Sequence, residues 1–246
     1  FLHTQSGSGS NQMATEQGFY GLVAAQRAAE GRSSLYRMSD ALSIPDAVET
    51  EMSGQGQGLE GKDPAVTAQP ITSPGKTFPD IAFSDQITAI EALAARGIID
   101  GKSDGNFDPD GSMTRAEFAT IVVRALGLTP ADTGAFVDVA STAWYSPYVG
   151  AASTYGLING VGEGRFSPDG TITRQEAAAL LTSSAKVLGM NTTPTQQTTF
   201  ADNGDVAVYF RNAVSFVYQI NVMGGTGNDK FSPLGSYTRE QSFITV

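Results

Sequence analysis

The sequence predicts an all-α fold built from three copies of a helix–loop–helix unit. Three observations predict it. The tetrapeptide Thr-Arg-X-Glu/Gln occurs as Thr114-Arg115-Ala116-Glu117, Thr173-Arg174-Gln175-Glu176 and Thr238-Arg239-Glu240-Gln241. Each copy follows an aromatic-X-Pro loop, at Phe107-Asp108-Pro109, Phe166-Ser167-Pro168 and Phe231-Ser232-Pro233. Each unit opens on aromatic-X-Asp, at Phe78-Pro79-Asp80, Phe136-Val137-Asp138 and Phe200-Ala201-Asp202. One such unit cannot bury its own apolar stripe, so the three must share a core.

The elements follow in order. Residues 1–50 hold one helix, at 13–30, where Phe19, Leu22 and Val23 sit at i, i+3 and i+4 before Gly31. Residues 51–77 are rich in Gly, Gln, Pro, Ser and Thr and read as a flexible linker. The three units then occupy 78–135, 136–199 and 200–246. Their first helices carry Ile87, Ile90 and Ala94; Tyr148, Ala151, Ala152 and Tyr155; and Phe210, Ala213, Val214 and Val217. Gly-rich turns come next, at Asp100-Gly101, Asn159-Gly160 and Gly224-Gly225. The second helix starts at the Thr-Arg motif, where Thr and Glu/Gln three residues apart form a capping box. In the first unit it carries Phe118, Ile121, Val122 and Ala125 and ends at Gly127. In the third unit that helix has barely begun at Val246, so a weaker share in the core is expected of it.

Composition excludes several function classes. The net charge is −10 over 246 residues, with no Lys/Arg block, which argues against nucleic acid or an anionic membrane as main partner. There is no cysteine, hence no disulfide and no thiolate metal site. No apolar stretch approaches the ~20 residues of a membrane-spanning helix. Phe1 is not an initiator Met, so the chain reads as a piece of a longer protein. The sole histidine is His3, which leaves no Ser-His-Asp arrangement within the repeats. Glu117 and Glu176 already have capping roles, and Glu91 lies on a separate helix, so no glycosidase carboxylate pair stands out. Residues 106–117 nearly fit an EF-hand loop, with Gly111 and Glu117 in place, but the equivalent loops start at Arg165 and Lys230 and the third ends in Gln241. No catalytic residue, metal site or cofactor is expected.

The Phe-X-Asp openings, the Gly-Ile-Ile-Asp-Gly run at 97–101, the Phe-X-Pro-Asp-Gly loops and the Thr-Arg-Ala-Glu motif resemble the S-layer homology family over residues 78–246. There are departures. The aromatic that starts the first helix is Trp144 in unit two and Tyr209 in unit three, but about Asp85 in unit one. Leu234 replaces a loop Asp, and Asn221 stands where the other units have Gly97 and Gly156, so altered grooves are expected there. The resemblance implies a pseudo-threefold spindle with a central three-helix bundle and three outer prongs. It also implies non-covalent tethering of an exported protein to the bacterial cell wall or S-layer. The ligand would be a secondary cell-wall polymer, typically capped by pyruvylated N-acetylmannosamine and held in grooves between modules; peptidoglycan is the other wall component left open. The alternatives are the localising tail of a surface enzyme or adhesin, or a lattice protein, with the main activity upstream. Separately, Ala14-Thr15-Glu16-Gln17 through Ala24 and Gly31 through Asp40 resemble the last helices of prenyltransferase/terpene-cyclase-like α/α-toroid domains.

The Arg of the motif points to the ligand contact. Capping does not require it. At N1 a cation opposes the helix dipole, at a cost of about 0.3–1 kcal/mol. Free N–H groups and a guanidinium converging there would suit an anion, and Arg grips a carboxylate bidentately. Arg115, Arg174 and Arg239 are therefore the candidate carboxylate contacts. Gly101, Gly160 and Gly225 would let backbone approach a sugar ring, and Trp144, Tyr145 or Tyr209 would stack on its apolar face. Asp80, Asp138 and Asp202 read as turn or cap residues, and Phe107, Phe166 and Phe231 as core.

Overall fold

A computed structural model describes residues 61–82, 84 and 86–245. The helix expected at 13–30 and the toroid-like resemblance lie outside them. The described residues form six α-helices: α1 (Ile87–Ala95), α2 (Arg115–Ala125), α3 (Ser146–Thr154), α4 (Arg174–Val187), α5 (Arg211–Gln219) and α6 (Arg239–Ile244). There is no strand among them, only isolated bridges, so the all-α class holds.

Each module is pinned internally by the same device. Its opening aspartate accepts two backbone N–H groups from its own Phe-X-Pro loop: Asp80 from Phe107 and Asp108, Asp138 from Phe166 and Ser167, Asp202 from Phe231 and Ser232, all at 2.7–2.9 Å. The loop residue X pays for this in backbone conformation, with φ of 60° at Asp108, 57° at Ser167 and 55° at Ser232. Two donors on one carboxylate hold that left-handed turn closed. The turn lays the loop Phe on the opening Phe, with ring centroids 5.4, 5.3 and 5.6 Å apart in the three modules. Phe107, Phe166 and Phe231 are core, as their pattern predicts.

The modules interlock cyclically. The second helix of each packs on the first helix of the next: α2 on α3, α4 on α5, and α6 back on α1. The residue before each Thr-Arg motif closes the axis. Met113 N–H donates to Tyr237 O (3.1 Å), Tyr237 N–H to Ile172 O (3.1 Å), and Ile172 N–H to Met113 O (3.0 Å). All three side chains are buried. This ring of hydrogen bonds realises the threefold plan. The weaker share expected of the third module holds for its second helix, six residues in α6 against 11 in α2 and 14 in α4, but not at the axis, where Tyr237 is among the largest fully buried side chains.

Two further expectations change. Asn221 adopts φ 57°, beside 66° at Gly97 and 64° at Gly156. Asparagine tolerates this left-handed helix-end position, so the backbone there is not altered. The described part of the expected linker, 61–77, is a strap. Asp63 N–H bonds Val187 O, Thr67 N–H bonds Leu126 O, and Thr72 and Ser73 N–H both bond Ala95 O. It thus supplies donors to the C-terminal ends of α4, α2 and α1 in turn, carbonyls that a helix cannot satisfy itself. Val66 is buried beneath it. Gly127 permits its passage, since a Cβ there would stand 2.3 Å from Thr67 O.

Candidate functional site in the inter-module grooves

The Arg side chains lie between modules, each reaching from the start of a second helix into the loop of the next. Nε of Arg115, Arg174 and Arg239 donates to the carbonyls of Phe166, Phe231 and Phe107, at 2.8, 2.8 and 2.7 Å. The guanidinium carbons lie 4.9, 4.8 and 5.1 Å from the same phenylalanine ring centroids. Nη2 donates to Asn159 O, Gly224 O and Asp100 O at 3.5, 2.6 and 3.1 Å. Planar donors spread over two carbonyls, with a ring beneath, need an Arg; Lys would offer only a point charge. The residue that looked ill-placed for stability is a strut between modules.

The helix N-termini are closed to ligands, contrary to the expectation of free N–H groups. Arg115, Arg174 and Arg239 N–H bond the carbonyls of Gly170, Gly235 and Gly111, and the next N–H groups bond Pro168, Pro233 and Pro109. The threonines take more donors: Glu117 N–H bonds Thr114 Oγ1 (3.1 Å) and Gln241 N–H bonds Thr238 Oγ1 (3.3 Å). Glu117 and Glu176 return the bond, accepting Thr114 N–H at 2.8 Å and Thr173 N–H at 2.9 Å.

Among the described residues a groove lies beside each Arg. The Arg115 groove, about 380 Å³, is lined by Gly160 of module two and Tyr209 of module three. The Arg239 groove, about 260 Å³, is lined by Gly101 of module one and Trp144 of module two. The Arg174 groove, about 350 Å³, is lined by Gly224, Gly225 and Gln241 of module three. The structure thus brings each Arg together with one of the expected glycines. Those glycines have an internal reason too. A Cβ at Gly160 would stand 2.4 Å from Arg165 O, and one at Gly101 2.7 Å from the Phe78 ring. At Gly225 it would stand 2.9 Å from Lys230 O. Each lets its module's opening Phe and turn close.

Trp144 is 59 % exposed and stands edge-on to Tyr145, their ring centroids 5.4 Å apart. Tyr145 is half-buried against the core and lines none of the three grooves. Tyr209 is 79 % exposed.

The grooves differ in charge. Arg115 Nη1 pairs with Glu176 at 2.5 Å and Arg239 Nη1 with Glu117 at 3.7 Å. Arg174 has no ion pair among the described residues; the matching position holds Gln241. Burial pushes both the Arg174 and Arg239 guanidiniums below their ordinary pKa, opposed at Arg239 chiefly by Glu117 and at Arg174 by Tyr237 and Asp202. The Arg239 groove also holds Asp100, bridged to Lys76 (2.8 Å) and Arg124 (2.9 Å). Desolvation works against its charge, but those two cations hold its carboxyl below the usual range.

Sequence reasoning missed the axial residues Met113, Ile172 and Tyr237, whose signal was an apolar residue before each Thr. It also missed Gln241 as more than a capping variant. No metal-binding cluster occurs among the described residues.

Comparison with known proteins agrees with this architecture. Residues 77–119 and 135–178 match the S-layer homology domain. The chain is 32 % identical over 173 residues to an amylopullulanase of Thermoanaerobacterium thermosulfurigenes, covering 70 % of this chain and 9 % of that protein. It is 32 % identical over 181 residues to S-layer protein sap of Bacillus anthracis, covering 72 % and 22 %. It is 28 % identical over 190 residues to exoglucanase XynX of Acetivibrio thermocellus, covering 76 % and 17 %. The chain therefore spans less than a quarter of the length of these relatives. With two matched modules and a third that repeats their loop, strut and axial contact, the chain belongs to the S-layer homology domain family.

Proposed function

We propose that the three modules anchor a larger exported protein to the bacterial cell wall, without catalysis, by holding a pyruvylated secondary cell-wall polymer in the inter-module grooves. The observation that carries this reading is the repeated groove. In each, an Arg from one module faces a Gly turn from the next. Two add an exposed aromatic from the remaining module, Tyr209 of module three and Trp144 of module two. Across the grooves, exposed aromatic faces suit the apolar side of sugar rings, and the Arg cations suit a carboxylate carried by such a polymer. Three related grooves on one repetitive polymer raise avidity through effective concentration. S-layer homology domains serve wall attachment in surface-layer proteins, and the same region recurs in polysaccharide-degrading enzymes, which fits a module that localises different cargoes.

The test is co-sedimentation with native wall sacculi against sacculi stripped of the secondary polymer. Binding to the native preparation alone is expected. Equal recovery from both would transfer the reading to peptidoglycan.

A further inference from the structure

Resting on that reading, we propose that the ligand's carboxylate is taken in the Arg174 groove, and that Gln241 is the residue that makes this groove the anion site. The three struts are built alike, so their difference is informative. At Arg115 and Arg239 the fold already supplies a carboxylate, Glu176 and Glu117, from the helix lining the groove. An incoming carboxylate must displace an internal one, tethered and partly buried, or share the cation with a like charge. In the Arg174 groove that helix presents Gln241 instead.

Two observations set this groove apart. Arg174 uses Nε on Phe231 O and Nη2 on Gly224 O, while its Nη1 makes no hydrogen bond or ion pair among the described residues. Gln241 Oε1 is buried with no hydrogen-bond partner. Both belong to the lining of one groove of about 350 Å³. A buried amide oxygen without a partner is rare in a folded protein, and here it shares a groove with a guanidinium nitrogen that the fold does not use. An amide offers donors to a carboxylate, where Glu would offer only the ligand's own charge. The third capping box is the cost: Thr238 Oγ1 still accepts Gln241 N–H, but no side chain returns the bond as Glu117 and Glu176 do.

The decisive variant is Gln241→Glu in the full chain. It restores the carboxylate present at the other two struts, so folding is retained or strengthened while binding falls. The probes are the pyruvate ketal of methyl N-acetylmannosaminide and its methyl ester, titrated calorimetrically. The parent is expected to bind the acid and to bind the ester at least ~10-fold more weakly, as loss of one close charge pair implies. Gln241→Glu should weaken binding of the acid by about 10-fold or more with an unchanged or higher midpoint of unfolding. Gln241→Met, which adds no charge, should stay closer to the parent than Gln241→Glu does. Parent binding that Gln241→Glu leaves unchanged overturns the groove assignment alone. Failure of the parent to bind the acid overturns the polymer reading as well.

Discussion

Arg174 is a strut as well as a groove residue, so its removal should cost stability whether or not ligand is present. Arg174→Met keeps most of the side-chain volume and removes the guanidinium. Two short hydrogen bonds are lost, to Phe231 O (2.8 Å) and Gly224 O (2.6 Å). Bonds from a charged donor contribute about 1.5–3 kcal/mol each. The stacking on Phe231, 4.8 Å from the ring centroid, adds about 0.5–2 kcal/mol. Against this, a buried guanidinium carries a desolvation penalty of several kcal/mol, which the variant recovers. The net loss expected is about 2–4 kcal/mol. That is a large part of the ~5–15 kcal/mol of a typical domain. Equilibrium urea unfolding without ligand measures it. Arg174→Lys, which retains charge but cannot span both carbonyls, should lose at least ~1.5 kcal/mol. A loss under ~1 kcal/mol for Met, or parental stability for Lys, would refute the strut. A binding defect in Arg174→Ala alone therefore identifies no ligand contact until the stability loss is accounted for.

Other outcomes follow from the same geometry. Gly160→Ala forces a Cβ to within 2.4 Å of Arg165 O and should destabilise by about 1–3 kcal/mol, while Gly224→Ala, with nothing within 4 Å, should change the midpoint little. Asn221→Val, a β-branched residue at φ 57°, should cost about 1–2 kcal/mol in thermal unfolding, and Asn221→Gly well under 1 kcal/mol. At Asp80, Asp138 and Asp202, partial desolvation pushes the carboxyl up, but the paired loop N–H groups outweigh it and hold each pKa below its ordinary value. Their contribution is present above the unfolded aspartate pKa of about 4 and is lost as pH falls below it. Melting temperature should therefore drop below about pH 4, with a shallower drop in Asp138→Asn.

The local parts of the fold were legible because each rests on chemistry within a few residues. Thr114 with Glu117 is a capping box in sequence and in space. The Phe-X-Pro loop needs its opening aspartate, and the two recur together in all three modules. What the sequence did not show lies across module boundaries. The carbonyls that Arg115, Arg174 and Arg239 hold are 51, 57 and 132 residues away in the chain. Backbone acceptors carry no residue signature, so an Arg holding one looks unemployed. The strap at 61–77 was hidden for the same reason: it acts through backbone N–H groups, and its Gly- and Pro-rich composition reads as linker.

Gln241 shows how one position can carry two levels of meaning. As a helix cap, Glu and Gln belong to one motif, since either can follow the Thr by three residues. In the closed ring, the same side chain also faces the strut of the preceding module, and there they differ by a full charge. Glu117 and Glu176 each divide their two oxygens between these tasks, Oε2 on the Thr N–H and Oε1 toward the Arg. Gln241 does neither: its oxygen is unbonded, and Arg174 is left without a counter-ion among the described residues. A substitution that is nearly silent within its own helix therefore sets the charge of a groove formed with another module. Three repeats in register become three sites of unequal chemistry through one amide.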